Sequence, residues 1–295
     1  MKLKEYRIPM PLSLDEYHLG QQWTEIELLK ETLQTCATHV TMFENITEQE
    51  RMKIINDKVP LPLRDKISFL TPMTHRQYQI KDQKSKFFNF VFFKPKTDLV
   101  LDEYSWDSWP YTLTIVENLE NSIRIIVQSY CQTNSPLAIN QNCQVYFPLN
   151  TDQMRISKDY EIINVSERLD EKRDYRIDED PTRNISLKKP NLLPLELNSK
   201  WYENQSSICV YKIVELMMLN DSNEEKSFLS KATNKIIWSS IVKTQRMLYH
   251  RFHQKMLCDI DQWIDKTMGN VREEERLLRK FLLQHQQTLF EHSNK

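Results

Sequence analysis

Apolar and polar positions alternate at the start of the chain and then change period. Tyr6, Ile8 and Met10 alternate with Arg7 and Pro9, the period-two pattern of a half-buried edge strand. Pro9 and Pro11 stop further ladder pairing. Ser13 followed by Glu16 has the spacing of a capping box, so a helix is predicted from Leu14. Leu14, Tyr17, Gln21 and Leu28 share one face of that helix. Gln21 is the odd member of the stripe. A buried amide needs partners for its donors and its acceptor, whereas a boundary amide reaches solvent.

Residues 33–75 carry no clear period, although 48–55 suits a short helix that Val59-Pro60-Leu61-Pro62 would break. From Thr74 the pattern turns to strands. They are predicted over 86–94 (KFFNFVFFK), over 112–117 and 122–131 as a hairpin turning through Asn118-Leu119-Glu120-Asn121, and over 143–149 and 208–219. Residues 150–205 are charged and irregular, and so long a loop in a compact domain is usually functional or regulatory. The last quarter is helical. An apolar stripe from Trp238 through Ile241, Leu248, Phe252 and Met256 to Trp263 predicts one long packing helix over 238–268, with Gly269 as its stop. Asn270 with Glu273 then starts a second helix over 270–290. Successive strands with helices at both ends predict an α+β fold in a single domain over 1–295: a mainly antiparallel sheet with long helices against one face.

Composition narrows the function. The formal net charge is −1, so no field favours nucleic acid, and none is expected as a partner. No apolar run approaches the length of a membrane span, and Met1 to Arg7 lacks the apolar core of a signal peptide, which leads to the expectation of a cytoplasmic protein. The five cysteines are scattered without a CxxC pair, as suits reduced, packing thiols. With only two glycines, Gly20 and Gly269, glycine-rich phosphate loops and dinucleotide fingerprints are excluded.

Several strands place polar residues on their apolar face. Lys212 shares a face with Ile208, Val210 and Val214; Ser129 with Val127 and Ile125; Thr112 and Thr114 with Val116. An inward lysine is costly unless an anion pairs with it, and neighbouring hydroxyls and an amide would complete a buried phosphate site. The alternative is structural, since Thr is a good strand former and Lys snorkels from a sheet edge. Periodicity leaves both open. Signs of catalysis are weaker. His250 and His253 lie one turn apart without further metal ligands, Cys258 sits on a core-like helix, and no nucleophile elbow or zincin pattern occurs, so neither an enzyme nor a metal site is expected. Ile236-Ile237-Trp238 suits either a membrane wedge or the buried start of a long helix, and Ser186, between Arg183 and Lys188-Lys189, suits either a basophilic kinase or a plain loop.

Ordered stretches of the chain resemble the small single-domain phosphatidylinositol transfer proteins. They are 3–7 (LKEYR) with Asp15-Glu16-Tyr17 and Gly20-Gln21; 106–118 (WDSWPYTLTIVEN); 157–160 (SKDY); 178–181 (DEDP); 209–214 (CVYKIV); and 251–275, with Phe252-His253, Cys258, Asp261, Trp263, Asp265, Thr267-Met268 and Arg272. Residues 33–73 and 219–235 match poorly. The resemblance implies a START-like helix-grip fold: a concave sheet closed by two long helices around one phospholipid, with the C-terminal helix as part of a lid. It implies phosphate contacts at Gln21, Thr114, Ser129 and Lys212, inositol contacts at Thr74, Arg76, Asp107 and Glu275, and a pocket position at Thr112.

The implied function is a non-enzymatic, monomeric carrier, peripheral on membranes, that exchanges phosphatidylinositol and phosphatidylcholine and needs no cofactor beyond the bound lipid. The alternative is a lipid-occupied scaffold presenting phosphatidylinositol to a partner such as a lipid kinase. Three residues depart from the family pattern: Asp107 stands where Asn is usual, Arg76 replaces Lys, and Thr112 replaces a pocket cysteine, which removes thiol sensitivity there. The family's exposed tryptophan pair has no clear match, Ile236, Ile237 and Trp238 being the nearest substitute after an insertion around 220–234. Ser186 falls at the family's loop phosphosite.

Overall fold

A computed structural model describes residues 2–35, 38–43, 46–80, 99–118, 123–133, 147, 160–168, 175–197, 200–205, 208–218 and 228–293. The chain runs β1 (Lys2–Met10), α1 (Leu14–Thr35), β2 (Thr38–Met42), α2 (Glu48–Lys58), a 3-10 turn (Leu61–Lys66), β3 (Met73–Ile80), β4 (Leu99–Ser108), β5 (Tyr111–Asn118), β6 (Ile123–Thr133) and β7 (Tyr160–Ile162). A second 3-10 turn (Ile177–Glu179), α3 (Tyr202–Gln205), β8 (Ile208–Met218), α4 (Phe228–Cys258), α5 (Ile260–Trp263) and α6 (Met268–Ser293) complete it. The strands expected over 86–94 and 143–149, the turn after Asn118 and the segment 219–227 lie outside the described residues.

The sheet has the order β2-β3-β4-β5-β6-β8-β1-β7, antiparallel throughout except for the parallel β1–β7 pair. It is thus a mixed sheet in an α+β fold. The opening strand is not at the edge, because β7 pairs along its outer side from Glu5 to Arg7. That pairing ends before Pro9, so the missing proline N–H costs no bond to β7. Helices cover both faces. Tyr6, Ile8, Met10 and Val210 join a core with α1, α4 and α6, whereas Leu113, Ile115, Tyr211 and Ile213 meet Ile55, Val59 and Leu63 from α2 and the first 3-10 turn.

Local chemistry sets the helix ends. The Ser13 box is formed, with Glu16 N–H donating to Ser13 Oγ at 3.2 Å and Ser13 N–H to Glu16 Oε2 at 2.9 Å. The helix expected over 238–268 is instead cut into α4 and α5 at Asp259, whose carboxylate accepts from Lys255 Nζ at 2.7 Å. The apolar stripe continues through this corner because Trp263 folds back, its Nε1–H donating to the Met256 carbonyl at 2.9 Å. Gly269 is no stop. It has no positive φ and lies in the first turn of α6, where Thr267 and Asn270 form the cap: Asn270 N–H donates to Thr267 Oγ1 at 3.2 Å and Thr267 N–H to Asn270 Oδ1 at 2.8 Å. This Thr-x-x-Asn pair starts the helix one turn before the Asn270–Glu273 pair expected from sequence. Within 150–205 the described residues are anchored, not free: Ile163, Val165, Leu193, Leu195 and Trp201 are buried, and Arg251 of α4 holds both Glu179 and Glu31.

Two buried histidines make stability pH-dependent. His250 Nε2 donates to the Asn164 carbonyl at 3.0 Å; His253 Nδ1 donates to the Tyr249 carbonyl and its Nε2 accepts from the Tyr17 hydroxyl at 3.0 Å. Burial pushes them down, to about 4 for His250 and about 3 for His253. The unfolded chain takes up these protons below about pH 6.5. The stabilisation is therefore complete above that pH and declines as pH falls toward the folded values. The urea midpoint, followed by tryptophan fluorescence, should drop between pH 7 and pH 5, and His253→Gln should flatten the drop. A flat wild-type profile would contradict this.

Candidate functional site

Strand register sorts polar side chains into rows on the face covered by α1, α4 and α6. Asp107 pairs with Thr112, Thr112 with Ser129 and Ser129 with Lys212, so one row crosses β4, β5, β6 and β8. The next runs Thr74, Ser105, Thr114, Val127, and a third Arg76, Glu103, Val116, Ile125. Because alternate residues point to opposite faces, each strand contributes every second position. Above these rows α1 supplies His18, Gln21, Gln22 and Glu25, α4 supplies Tyr249, and α6 supplies Glu275 and Arg279. Between sheet and helices lies a cavity of about 690 Å³, within the roughly 300–1,000 Å³ of ordinary ligand pockets. Gln21, Thr74, Arg76, Asp107, Thr112, Thr114, Ser129, Lys212 and Glu275 all line it.

Its electrostatics are uneven. Lys212 Nζ donates to Ser129 Oγ at 2.9 Å and lies 5.0 Å from the Tyr249 ring centroid. Burial lowers the pKa of its ammonium, and no carboxylate lies within ion-pair distance among the described residues. Arg76 Nη1 donates to Glu103 Oε1 at 3.2 Å, and the Ser105 and Thr114 hydroxyls share a hydrogen bond of 2.8 Å. Asp107 Oδ2 accepts from Gln22 Nε2 at 3.2 Å and meets His18 Nε2 at 3.3 Å, the imidazole itself stacking on Trp109 at 4.2 Å. Glu275 accepts from Arg279. Four buried polar atoms on these lining residues have no protein partner among the described residues: Arg76 Nε, Asp107 Oδ1, Tyr249 Oη and Arg279 Nε. Leaving such an atom unsatisfied costs ~1–3 kcal/mol, so a polar ligand offering both donors and acceptors is the natural complement.

Glu25 belongs to this site although sequence reasoning did not include it. It follows Gln21 by one turn on the same stripe, and Gln21 Nε2 donates to its Oε1 at 3.1 Å. The i, i+4 spacing carried that signal. Glu103 and Ser105 were also missed; their period-two alternation with Tyr104 and Trp106 places them on the face of Asp107.

Other candidate residues lie elsewhere. Ile236 is 56% exposed, whereas Ile237 and Trp238 pack half-buried against the main core. Ser186 is buried and donates to the Asp261 carboxylate, which also accepts from the backbone N–H groups of Leu187 and Lys188. Burial pushes the Cys258 thiol up to about 12, in keeping with a packing role. Among the described residues no cluster of His, Cys, Asp and Glu suits a metal, and no helix is long and apolar enough to cross a membrane.

The family model for phosphatidylinositol transfer proteins matches residues 1–280. The chain belongs to the phosphatidylinositol transfer protein family. Its relatives include the phosphatidylinositol transfer protein beta isoform of Homo sapiens, 24% identical over 284 residues, which span 92% of this chain and 90% of the relative. Phosphatidylinositol transfer protein 1 of Dictyostelium discoideum is 22% identical over 278 residues, with the same coverage of 92% and 90%. The family match takes in every strand of the cavity wall and extends past Glu275 and Arg279 on α6.

Proposed function

We propose that this chain binds one phosphatidylinositol in the cavity and exchanges it between membranes, and that it also accepts phosphatidylcholine. The observation that carries the reading is the row ending in Lys212: an ammonium with no carboxylate within ion-pair distance among the described residues, bonded to Ser129, on a wall that sets polar groups beside Val116, Ile125 and Val127. Lys212, Ser129, Thr114 and Gln21 donate to the lipid phosphate, since charge-assisted hydrogen bonds are the strong kind. Thr74, Arg76, Asp107 and Glu275 meet the inositol hydroxyls, with Arg76 Nε and Asp107 Oδ1 as a free donor and a free acceptor. Thr112 fills the pocket between Asp107 and Ser129. α6 acts as part of a lid, closing the sheet in a START-like grip.

Each buried acyl CH₂ contributes about 0.8 kcal/mol, but a bilayer offers the tails the same gain, so exchange runs close to thermoneutral. The carrier performs no covalent step, works as a cytosolic monomer peripheral on membranes, and uses Ile236 at the surface. Phosphorylation of Ser186 requires its bond to Asp261 to open first. A second reading, a lipid-occupied scaffold presenting phosphatidylinositol to a partner such as a lipid kinase, is favoured by the packing of Ile237 and Trp238 against the main core, which takes up part of two of the three side chains expected to dock.

Mass spectrometry of lipid co-purified with the protein should recover phosphatidylinositol together with phosphatidylcholine. Glu275→Lys should shift that mixture strongly toward phosphatidylcholine, because only the inositol ring uses the carboxylate. Recovery of no phospholipid would sink both readings, and an unchanged mixture would remove Glu275 from the headgroup site. Stable occupancy with negligible vesicle-to-vesicle transfer would select the scaffold.

A further inference from the structure

Glu25 is an acidic side chain placed where an anion is to bind. It sits on the cavity face of α1, and its Oε1 holds the Gln21 amide at 3.1 Å. That amide is one of the donors a phosphate needs. The groups facing the same space are Arg76 and Tyr78 from β3, Glu103 and Asp107 from β4, Lys212 from β8, Tyr249 from α4, Arg272, Glu275 and Arg279 from α6, and His18 on α1 itself. Of the two cations on the sheet, Arg76 is hydrogen-bonded to Glu103 and also attracts Glu25, more strongly than Lys212 does. Burial already pushes the Glu25 carboxyl above its ordinary range, against the pull of Arg76, Gln21 and Lys212.

We infer that Glu25 is a specificity-determining residue of the cavity: a phosphodiester settling beside Lys212 takes over the Gln21 amide, and Glu25 becomes a carboxylic acid that donates to the ligand. The inference rests on the proposed lipid reading and adds to it. Two anions converging on one amide NH₂ group in a partly enclosed site repel strongly, since little water screens them. Protonation removes the repulsion and turns a competing acceptor into a donor. The proton comes from bulk water as the lipid binds and returns there on release, so one proton travels with each phosphodiester. The sign follows. Bound lipid raises the carboxyl pKa above its value in the empty cavity, so affinity is highest below the empty-cavity value and weakens as pH rises between the two. A neutral headgroup lipid without a phosphate has no such dependence.

The test is binding of fluorescent-tailed phosphatidylinositol, presented in phosphatidylcholine vesicles, to the full chain from pH 6 to pH 8. Wild type should lose affinity with rising pH, by up to about tenfold per unit. Glu25→Gln should bind with a flat profile and exceed wild type at pH 8. Glu25→Ala should be equally flat, which keeps the test decisive if one variant folds poorly. A wild-type slope retained in both variants overturns the inference while leaving the lipid reading intact. Loss of the slope in His18→Asn instead of Glu25→Gln also overturns it, assigning the proton to the His18–Asp107 pair. Failure of wild type to bind at any pH removes the lipid reading and the inference with it.

Discussion

Replacing Lys212 by Met is expected to leave the protein folded and to cut phosphatidylinositol transfer by roughly 10- to 100-fold, because hydrogen bonds to charged groups contribute ~1.5–3 kcal/mol and each 1.4 kcal/mol is tenfold. The substitution keeps the stem of the side chain and removes only the ammonium. Among the described residues that ammonium has one hydrogen-bond partner, the Ser129 hydroxyl, and burial already disfavours its charge. Removing a charge that is taken out of water without a counter-ion relieves its desolvation cost. The melting temperature of lipid-free Lys212→Met should therefore match or exceed that of wild type while vesicle-to-vesicle transfer falls. Unchanged transfer would remove Lys212 from the phosphate site. A large loss of melting temperature would make it structural.

Trp263→Ala should act in the opposite sense, on stability first. The indole is fully buried at the corner where α4 gives way to α5. Its ring is so close to α1 that a Cβ built at Gly20 would lie 2.9 Å from it. Truncating a buried Trp costs ~3–5 kcal/mol, and the lost bond to the Met256 carbonyl adds to the strain. At ~2–4 °C per kcal/mol, melting should fall by roughly 6–20 °C. A companion measurement isolates the contact. Gly20→Ala should destabilise wild type, because overpacking against a rigid ring outweighs the helix propensity gain of about 1 kcal/mol. In the Trp263→Ala background the same change should become neutral or stabilising. Equal effects in both backgrounds would show that the ring does not set the α1–α5 approach.

Much of this site was legible before the fold. The inward positions of Thr112, Thr114, Ser129 and Lys212 follow from period-two counting, and the resemblance to phosphatidylinositol transfer proteins brought in Thr74, Arg76, Asp107 and Glu275. The Ser13–Glu16 cap formed as expected because every group in it lies within one turn. Errors arose where a local signal competed with another or with packing. Gly269 resembles a stop, but Thr267 and Asn270 cap the next helix around it. The stripe from Trp238 to Trp263 suggests one straight helix, but the corner at Asp259 keeps Trp263 on the core by turning the chain back. Ile237 and Trp238 suit either a wedge or a buried helix start, and in the fold they pack half-buried against the main core.

The sequence alone determined which side chains share a face of each strand and helix, where α1 begins and, through its motifs, the family. Those properties depend on spacing within a few residues. Only the tertiary structure decided that Asp107, Thr112, Ser129 and Lys212 form one continuous row and that β7 covers the outer side of β1. Register between strands a hundred residues apart is set by the summed pairing and packing of the whole sheet, which no local pattern encodes.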